Sequence, residues 1–98
     1  MKYEIIYLQT VWDDINEIKI NLSQYYPSTY KIFFTKLERH IKRLEDNPDI
    51  GQEWLYLKPF RRLIVDNYLV FYIIDKAKRI IEIHHVLHGA RDLKNTKI

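Results

Sequence analysis

A chain of 98 residues, 47% of them hydrophobic, is long enough for one core and too apolar for a disordered segment. It has no cysteine, which excludes disulfides and thiolate metal sites, and its longest apolar run, residues 68–74, is too short to cross a bilayer. Residues 1–49 hold seven Lys and Arg against eight Asp and Glu, whereas residues 50–98 hold nine against five. We therefore predict a single cytoplasmic domain, residues 1–98, without cofactor or membrane partner. Its basic second half favours an anionic partner, either nucleic acid or an acidic protein segment.

The first half of the chain predicts one strand and two helices. Residues 2–9 are rich in β-branched and aromatic side chains, which is typical of a short strand. A helix is expected to begin at Thr10, with Asp13 placed to complete a capping box, and Ser28 is expected to cap a second helix. The apolar face of the first helix comprises Ile15, Ile18, Leu22 and Tyr25. The apolar stripe of the second comprises Tyr30, Phe33, Phe34, Leu37, Ile41 and Leu44.

The second half predicts three strands, because the apolar period changes from 3.6 to 2 after Trp54. The strands span residues 61–65, 68–74 and 79–88, and their short connections imply antiparallel neighbours. Residues 68–74 are nearly all apolar, so this strand is expected to be central and covered on both faces. The predicted fold is α+β, with an N-terminal strand, an antiparallel helical hairpin and a three-stranded antiparallel meander. Together they form one curved sheet with the helices on one face.

The histidines of the last predicted strand are the first candidates for chemistry. In a regular strand His84 and His88 share one face, while His85 points to the other. Two histidines about 13 Å apart by strand rise are too few and too distant for zinc, so no metal site is predicted. His40 is expected to be a solvated residue of the second helix.

General acid–base cleavage of RNA is a second interpretation of this region. His88 and Arg91 flank Gly89 at the end of the strand, where a turn can present both side chains. Arg61 and Arg62, on a strand that could run nearby, would add phosphate contacts. From the residues alone, solvated strand ends or salt bridges to the C-terminal tail explain the same pattern.

A basic surface with aromatic residues between the charges is the third candidate feature. The target-binding residues that we predict are Lys58, Arg61, Arg62, Arg91 and Lys94. Trp54, Tyr56 and Phe60 lie among them in sequence, an arrangement that suits nucleic acid and an acidic protein partner equally well.

The sequence blocks RRL-x₄-YLVFY (61–72) and VLHGARD (86–92), together with the order of elements, resemble the RelE/ParE superfamily of type II toxin–antitoxin toxins. The resemblance implies a compact growth-inhibiting toxin of the plasmid-stabilisation type. It also implies a cognate antitoxin whose flexible segment neutralises the toxin, with operator DNA bound only through the antitoxin. Ordering such a segment requires exposed apolar and basic surface, which this chain offers.

The resemblance further implies one of two targets. Ribonuclease members commonly carry an arginine in the central strand, where this chain has Leu69, and paired lysines on the preceding strand, where it has Arg61 and Leu63. Arg91 matches the arginine of the final strand, and His88 could transfer protons. These departures favour a ParE-like inhibitor of DNA gyrase. The alternative is a metal-independent, ribosome-dependent mRNA interferase (an endoribonuclease) using His88, Arg91 and Arg61, and a third possibility is an inactive member that only binds its antitoxin.

Overall fold

The computed structural model describes residues 2–24, 26–54 and 58–89. Two α-helices and five strands make up this part of the chain, with two short 3₁₀ turns, Arg43–Glu45 and Pro48–Ile50, between the second helix and the second strand. The elements are β1 (Glu4–Tyr7), α1 (Gln9–Ser23), α2 (Pro27–Lys42), β2 (Gln52–Glu53), β3 (Arg61–Val65), β4 (Tyr68–Asp75) and β5 (Ile80–His88). Neither helix in the described ranges is both long and apolar enough to cross a bilayer.

The strands form one sheet in the order β1-β5-β4-β3-β2. Strands β3, β4 and β5 are the antiparallel meander expected from the sequence, and β2 adds antiparallel to β3. Strand β1 runs parallel to β5, because the helical hairpin carries the chain over one face before it returns to the sheet. The α+β prediction is confirmed. The two-residue strand β2 was not predicted, since so short a segment has no detectable period.

The two helix starts differ from the sequence expectation. Helix α1 begins at Gln9, and the Thr10 hydroxyl donates to the carbonyl of His84 at 2.6 Å instead of capping the helix. Helix α2 begins at Pro27, so Ser28 lies inside its first turn. Proline favours this first position because its fixed φ suits a helix and its missing N–H would have no helical partner. Thr10 and Ser28 were therefore wrongly predicted as caps.

The inner face of the sheet packs against the helices and forms the main core. The predicted stripe of the second helix is confirmed: Phe33, Leu37 and Ile41 are buried, and Tyr30 and Phe34 pack beside them. Leu44 is also buried, but it lies in the 3₁₀ turn that follows α2. From α1 the buried residues are Val11, Ile15 and Ile18. Tyr25, which was predicted to belong to the apolar face of the first helix, lies outside the described residues. The sheet contributes Leu63, Val65, Val70, Tyr72, Ile81, Ile83 and Val86.

The outer face of the sheet carries a second, smaller apolar cluster. It comprises Trp54, Phe60, Leu69, Phe71 and Leu87. Strand β4 therefore has buried side chains on both faces from Leu69 to Tyr72, as its nearly continuous apolar sequence predicted. The covering is incomplete, because Ile64, a residue of β3, remains 59% exposed.

Candidate functional site

A β-bulge in β5 decides where its histidines point. Val70 lies opposite Val86 and Tyr72 lies opposite Ile83, so both His84 and His85 face the single residue Phe71. One strand thus has an extra residue, which changes the alternation of its side chains. The prediction that His84 and His88 share a face is wrong for this reason.

The histidines on the two sides of the bulge have different partners. The Nε2 atom of His84 lies 3.2 Å from Oε1 of Glu82, and its ring meets Phe60 edge-on at 5.0 Å, on the outer side. The Nδ1 atom of His85 lies 2.8 Å from Oδ2 of Asp14, a residue of α1 on the inner side.

Asp14 joins α1 to the bulge with a single carboxylate oxygen. Besides the His85 ring, Oδ2 accepts a hydrogen bond from the backbone N–H of Val86 at 3.1 Å. The Asp14 and His85 side chains are only 18% and 17% exposed, so little water competes for these bonds. The sequence carried no signal for Asp14, because its partners lie more than 70 positions away.

His88 lies at the inner side of the end of β5. Its exposed ring meets the ring of Tyr68 edge-on, with the centroids 5.2 Å apart, and burial raises the pKa of Tyr68 above its usual value. It borders a cavity of about 190 Å³ between α1 and β5, together with Asp14, Glu17 and Asn21. Arg91, its predicted partner in acid–base chemistry, lies outside the described residues.

Arg61 ties the start of β3 to the preceding turns. Its Nη1 donates to the carbonyl of Gly51 at 2.6 Å, and its Nη2 lies 3.4 Å from Asp49 Oδ1 and 3.9 Å from Glu53 Oε1. The side chain is 22% exposed. Most of its hydrogen-bonding capacity is thus turned toward the protein.

The Tyr72 hydroxyl belongs to the same group of contacts. It donates to the carbonyl of Pro48 at 2.7 Å and accepts from the N–H of Gly51 at 3.0 Å. Burial raises the pKa of Tyr72, and the hydrogen bond from Gly51 and the Arg61 guanidinium partly offset this effect. Gly51 has no room for a side chain, since a Cβ would lie 2.7 Å from the carbonyl oxygen of Arg62. The neutral phenol therefore holds the 3₁₀ turn against the sheet.

Arg62 points to the outer face, opposite to Arg61, because side chains alternate along a strand. Its guanidinium carbon lies 5.1 Å from the centre of the Trp54 ring, and its Nη2 lies 3.5 Å from Oε1 of Gln52. Its buried Nε has no partner among the described residues. Lys58 is exposed. The predicted contacts Arg91 and Lys94, with the aromatic Tyr56, lie outside the described ranges.

The predicted catalytic residues do not converge within the described part of the chain. Arg61 lies opposite Tyr72, and His88 lies opposite Tyr68 across the other edge of β4. Four residues along the strands and two strand spacings across them separate Arg61 from His88 by roughly 16 Å. The backbones of Arg61 and His88 thus lie well apart on the sheet. The described ranges also contain no group of three or more side chains suited to a metal ion, and the prediction of no metal site stays a prediction.

Leu69, at the position where ribonuclease relatives are expected to carry arginine, is 8% exposed within the outer cluster. Its neighbours there are the apolar side chains of Trp54, Phe60, Phe71 and Leu87. The centre of the outer face is therefore apolar, and the charged groups lie around it.

An open five-stranded sheet with a helical hairpin on its inner face is the fold of the RelE/ParE toxins, and comparison with known proteins agrees. The family model for the ParE toxin of the parDE type II toxin–antitoxin system matches residues 5–93. The chain belongs to this family, and it is a toxin of a toxin–antitoxin system. No curated protein sequence matches it significantly.

Two solved structures with this fold are informative. A chain of the chromosomal ParDE system of P. aeruginosa superposes with a TM-score of 0.76 at 12% identity, covering 89% of this chain and 96% of its own. A chain of the toxin–antitoxin complex RelBE2 from Mycobacterium tuberculosis gives 0.66 at 16% identity, covering 90% and 99%. At these identities the likeness establishes the fold alone.

Proposed function

We infer that this toxin stops growth by binding DNA gyrase, without cleaving RNA, and that a cognate antitoxin neutralises it. The observation that carries this proposal is the apolar centre of the outer face around Leu69. Cleavage of RNA without a metal needs cations beside the scissile phosphate. A buried leucine among aromatic side chains supplies none, whereas apolar surface with a charged rim suits a protein partner.

The contacts of Arg61 support the same conclusion. A guanidinium bound to a carbonyl and close to two carboxylates has few free donors for a phosphate. Arg62 on the outer face and the exposed Lys58 are the target contacts that we propose in the described ranges. In this proposal they act by complementarity of charge and shape, with Arg91 and Lys94 as further contacts.

The second candidate function is an mRNA interferase, and the position of His88 favours it. Its ring is exposed beside Tyr68 and borders a cavity at the end of β5. A histidine in this setting can exchange protons with a bound ligand. The antitoxin partner is common to both candidates, since the two structural neighbours come from toxin–antitoxin systems.

Purified toxin tests the two candidates directly. We expect inhibition of DNA supercoiling by gyrase and no cleavage of mRNA on translating ribosomes. Cleavage of ribosome-bound mRNA with unaffected supercoiling would overturn the proposal in favour of the ribonuclease. Unimpaired growth after expression without antitoxin would instead identify an inactive member that only binds its antitoxin.

Two variants refine this test in growing cells. His88→Ala is expected to remain fully toxic, because no catalytic proton transfer is needed. Arg62→Glu is expected to reduce both toxicity and gyrase inhibition, and Lys76→Glu, a charge reversal in the turn after β4, is the control that retains both. A non-toxic His88→Ala that folds normally would contradict the proposal.

A further inference from the structure

The solvent-facing side of α2 is a basic surface that the target-binding proposal does not use. Five of its residues lie at helical spacing around a shallow cavity of about 330 Å³: Lys31, Ile32, Thr35, Lys36 and Arg39. We call this set the α2 face. It lies opposite the buried stripe of α2, so it is on the helical side of the molecule and away from the outer face of the sheet.

The charges of the α2 face are largely unneutralised. Lys36 forms a salt bridge with Asp66 at 3.0 Å. In the part of the chain that the structure describes, Lys31 and Arg39 form no salt bridge, and no carboxylate lines the cavity. Eight residues of helix separate these two cations by about 12 Å along the axis. The surface therefore presents two cations, Lys31 and Arg39, that form no salt bridge within the described ranges.

The larger cavity on the other side of α2 differs in charge. It has a volume of about 590 Å³ and lies between α2 and β1, where Glu4, Glu38 and Glu45 line it beside Arg39 and Lys42. Its three carboxylates outnumber its two cations, so it does not favour an anionic ligand. Of these two cavities, the one at the α2 face is lined by cations without carboxylates.

An exposed apolar side chain distinguishes the α2 face from a nucleic-acid site. Ile32 is 66% exposed between these two cations, and the aliphatic stems of the lysines extend the apolar area around it. Phosphates gain nothing from isoleucine, and sites for single strands use aromatic side chains for stacking. None of the residues that line this cavity is aromatic. The combination suits a protein segment that carries an apolar side chain between carboxylates.

We propose that the α2 face binds an acidic segment of the cognate antitoxin, which places an apolar side chain on Ile32 and carboxylates beside Lys31 and Arg39. The antitoxin is the occupant because the similar solved structures come from toxin–antitoxin systems. Complementary charge would speed its capture of the toxin. This proposal does not depend on whether the target is gyrase or mRNA.

Affinity for the antitoxin tests the proposal. The probe is the antitoxin whose co-expression restores growth to cells that make this toxin, and binding is measured by biolayer interferometry at low and high salt. Lys31→Glu/Arg39→Glu is expected to weaken binding at least about tenfold at low salt and less at high salt. Ile32→Ser is expected to weaken it about fivefold at both salt concentrations, because the lost contact is apolar.

Lys76→Glu/Lys78→Glu is the matched control, because it makes the same change in net charge at two exposed turn residues that do not line the cavity of the α2 face. The control is expected to retain its affinity within about twofold. The same losses in the α2 variants and in the control would overturn the proposal. The proposal would also be overturned if Lys31→Glu/Arg39→Glu abolished binding of a short single-stranded DNA and left the affinity for the antitoxin unchanged. Loss of toxicity with unchanged antitoxin affinity would assign the surface to the target, and would also overturn the proposal.

Discussion

The two faces of the sheet contain different kinds of core. The inner face is covered by two helices, and its apolar residues come from α1, α2, β3, β4 and β5. The outer face is covered in its described part by Trp54 and Phe60, which pack on residues of β4 and β5. Both faces bury residues of β4 almost completely. The outer face, where a ribonuclease is expected to carry catalytic cations, is instead a packed apolar cluster that contributes to the stability of this protein.

Among the tests of this comparison, Phe71→Ala has the largest expected effect on stability. Phe71 is 0% exposed in the outer cluster, so its truncation is expected to destabilise the protein by about 3–5 kcal/mol. Urea denaturation measures the loss. Ile64→Ala is the control, because Ile64 belongs to the same region but is 59% exposed. A loss of less than about 1 kcal/mol for Phe71→Ala would mean that the outer cluster is not a packed core.

Asp14→Ala tests the polar link on the inner side. The change leaves the Val86 N–H and the His85 ring without their acceptor, at an expected cost of about 2 kcal/mol. Asp14→Asn is expected to lose less, because the amide oxygen can still accept. Thermal unfolding of Asp13→Ala is the comparison, since Asp13 is exposed and accepts a hydrogen bond from Gln9. Equal melting temperatures for Asp13→Ala and Asp14→Ala would show that the link does not stabilise the bulge.

Tyr72→Phe tests the hydroxyl that reaches from the inner face to the 3₁₀ turn. Losing both hydrogen bonds is expected to cost about 1–2 kcal/mol. The pKa of Tyr72 in the folded protein is raised above 10.0. The stability that the neutral phenol contributes is therefore fully present below pH 10 and is lost as the pH rises through the raised pKa.

Urea denaturation between neutral and strongly alkaline pH measures this effect. The variant is expected to lose less stability than the wild type above pH 10, since it has one buried phenol fewer to ionise. Tyr26→Phe, at a residue that is 71% exposed, is the control. An identical alkaline slope for the wild type and Tyr72→Phe would contradict the assignment.

The smallest expected effect is that of Arg62→Gln on stability. Stacking of the guanidinium on Trp54 at the edge of the outer cluster is expected to contribute about 0.5–1 kcal/mol. Arg62→Lys should retain part of this contribution, because the ammonium can also lie over the ring. Chemical denaturation of the two variants checks the order, and a loss above about 2 kcal/mol would make Arg62 a structural residue and weaken its assignment as a target contact.

The sequence predicted the fold well because its signals were local. The stripe of α2 repeats at helical spacing, and the apolar run of β4 follows directly from its composition, so neither needs knowledge of the rest of the chain. Helix starts were less predictable. Thr10 has the chemistry of a cap, but its hydroxyl forms a tertiary bond to His84, and only the packed structure decides between these two partners.

The candidate site was predicted in part, and the reason lies in register. The sequence pointed to the histidines, to Arg61 and Arg62, and to Leu69 as candidate residues, and their roles stay predictions. It could not show that a single extra residue in β5 places the His84 and His88 side chains on opposite faces of the sheet, since the apolar pattern does not reveal a bulge. The roles of Asp14 and Tyr72 were missed because their partners are distant in the chain.

By itself, the sequence determined the two helices, every described strand except β2, the superfamily and the apolar nature of position 69, because these follow from residue type and from short-range spacing. Only the tertiary structure decided which charges are available. It turns Arg61 inward to a carbonyl and two carboxylates and leaves Arg62 on the outer face. It also leaves Lys31 and Arg39 of the α2 face without a salt bridge in the described ranges, whereas Lys36 pairs with Asp66. The availability of a charge depends on the groups that folding brings beside it, and neighbours in space need not be neighbours in sequence.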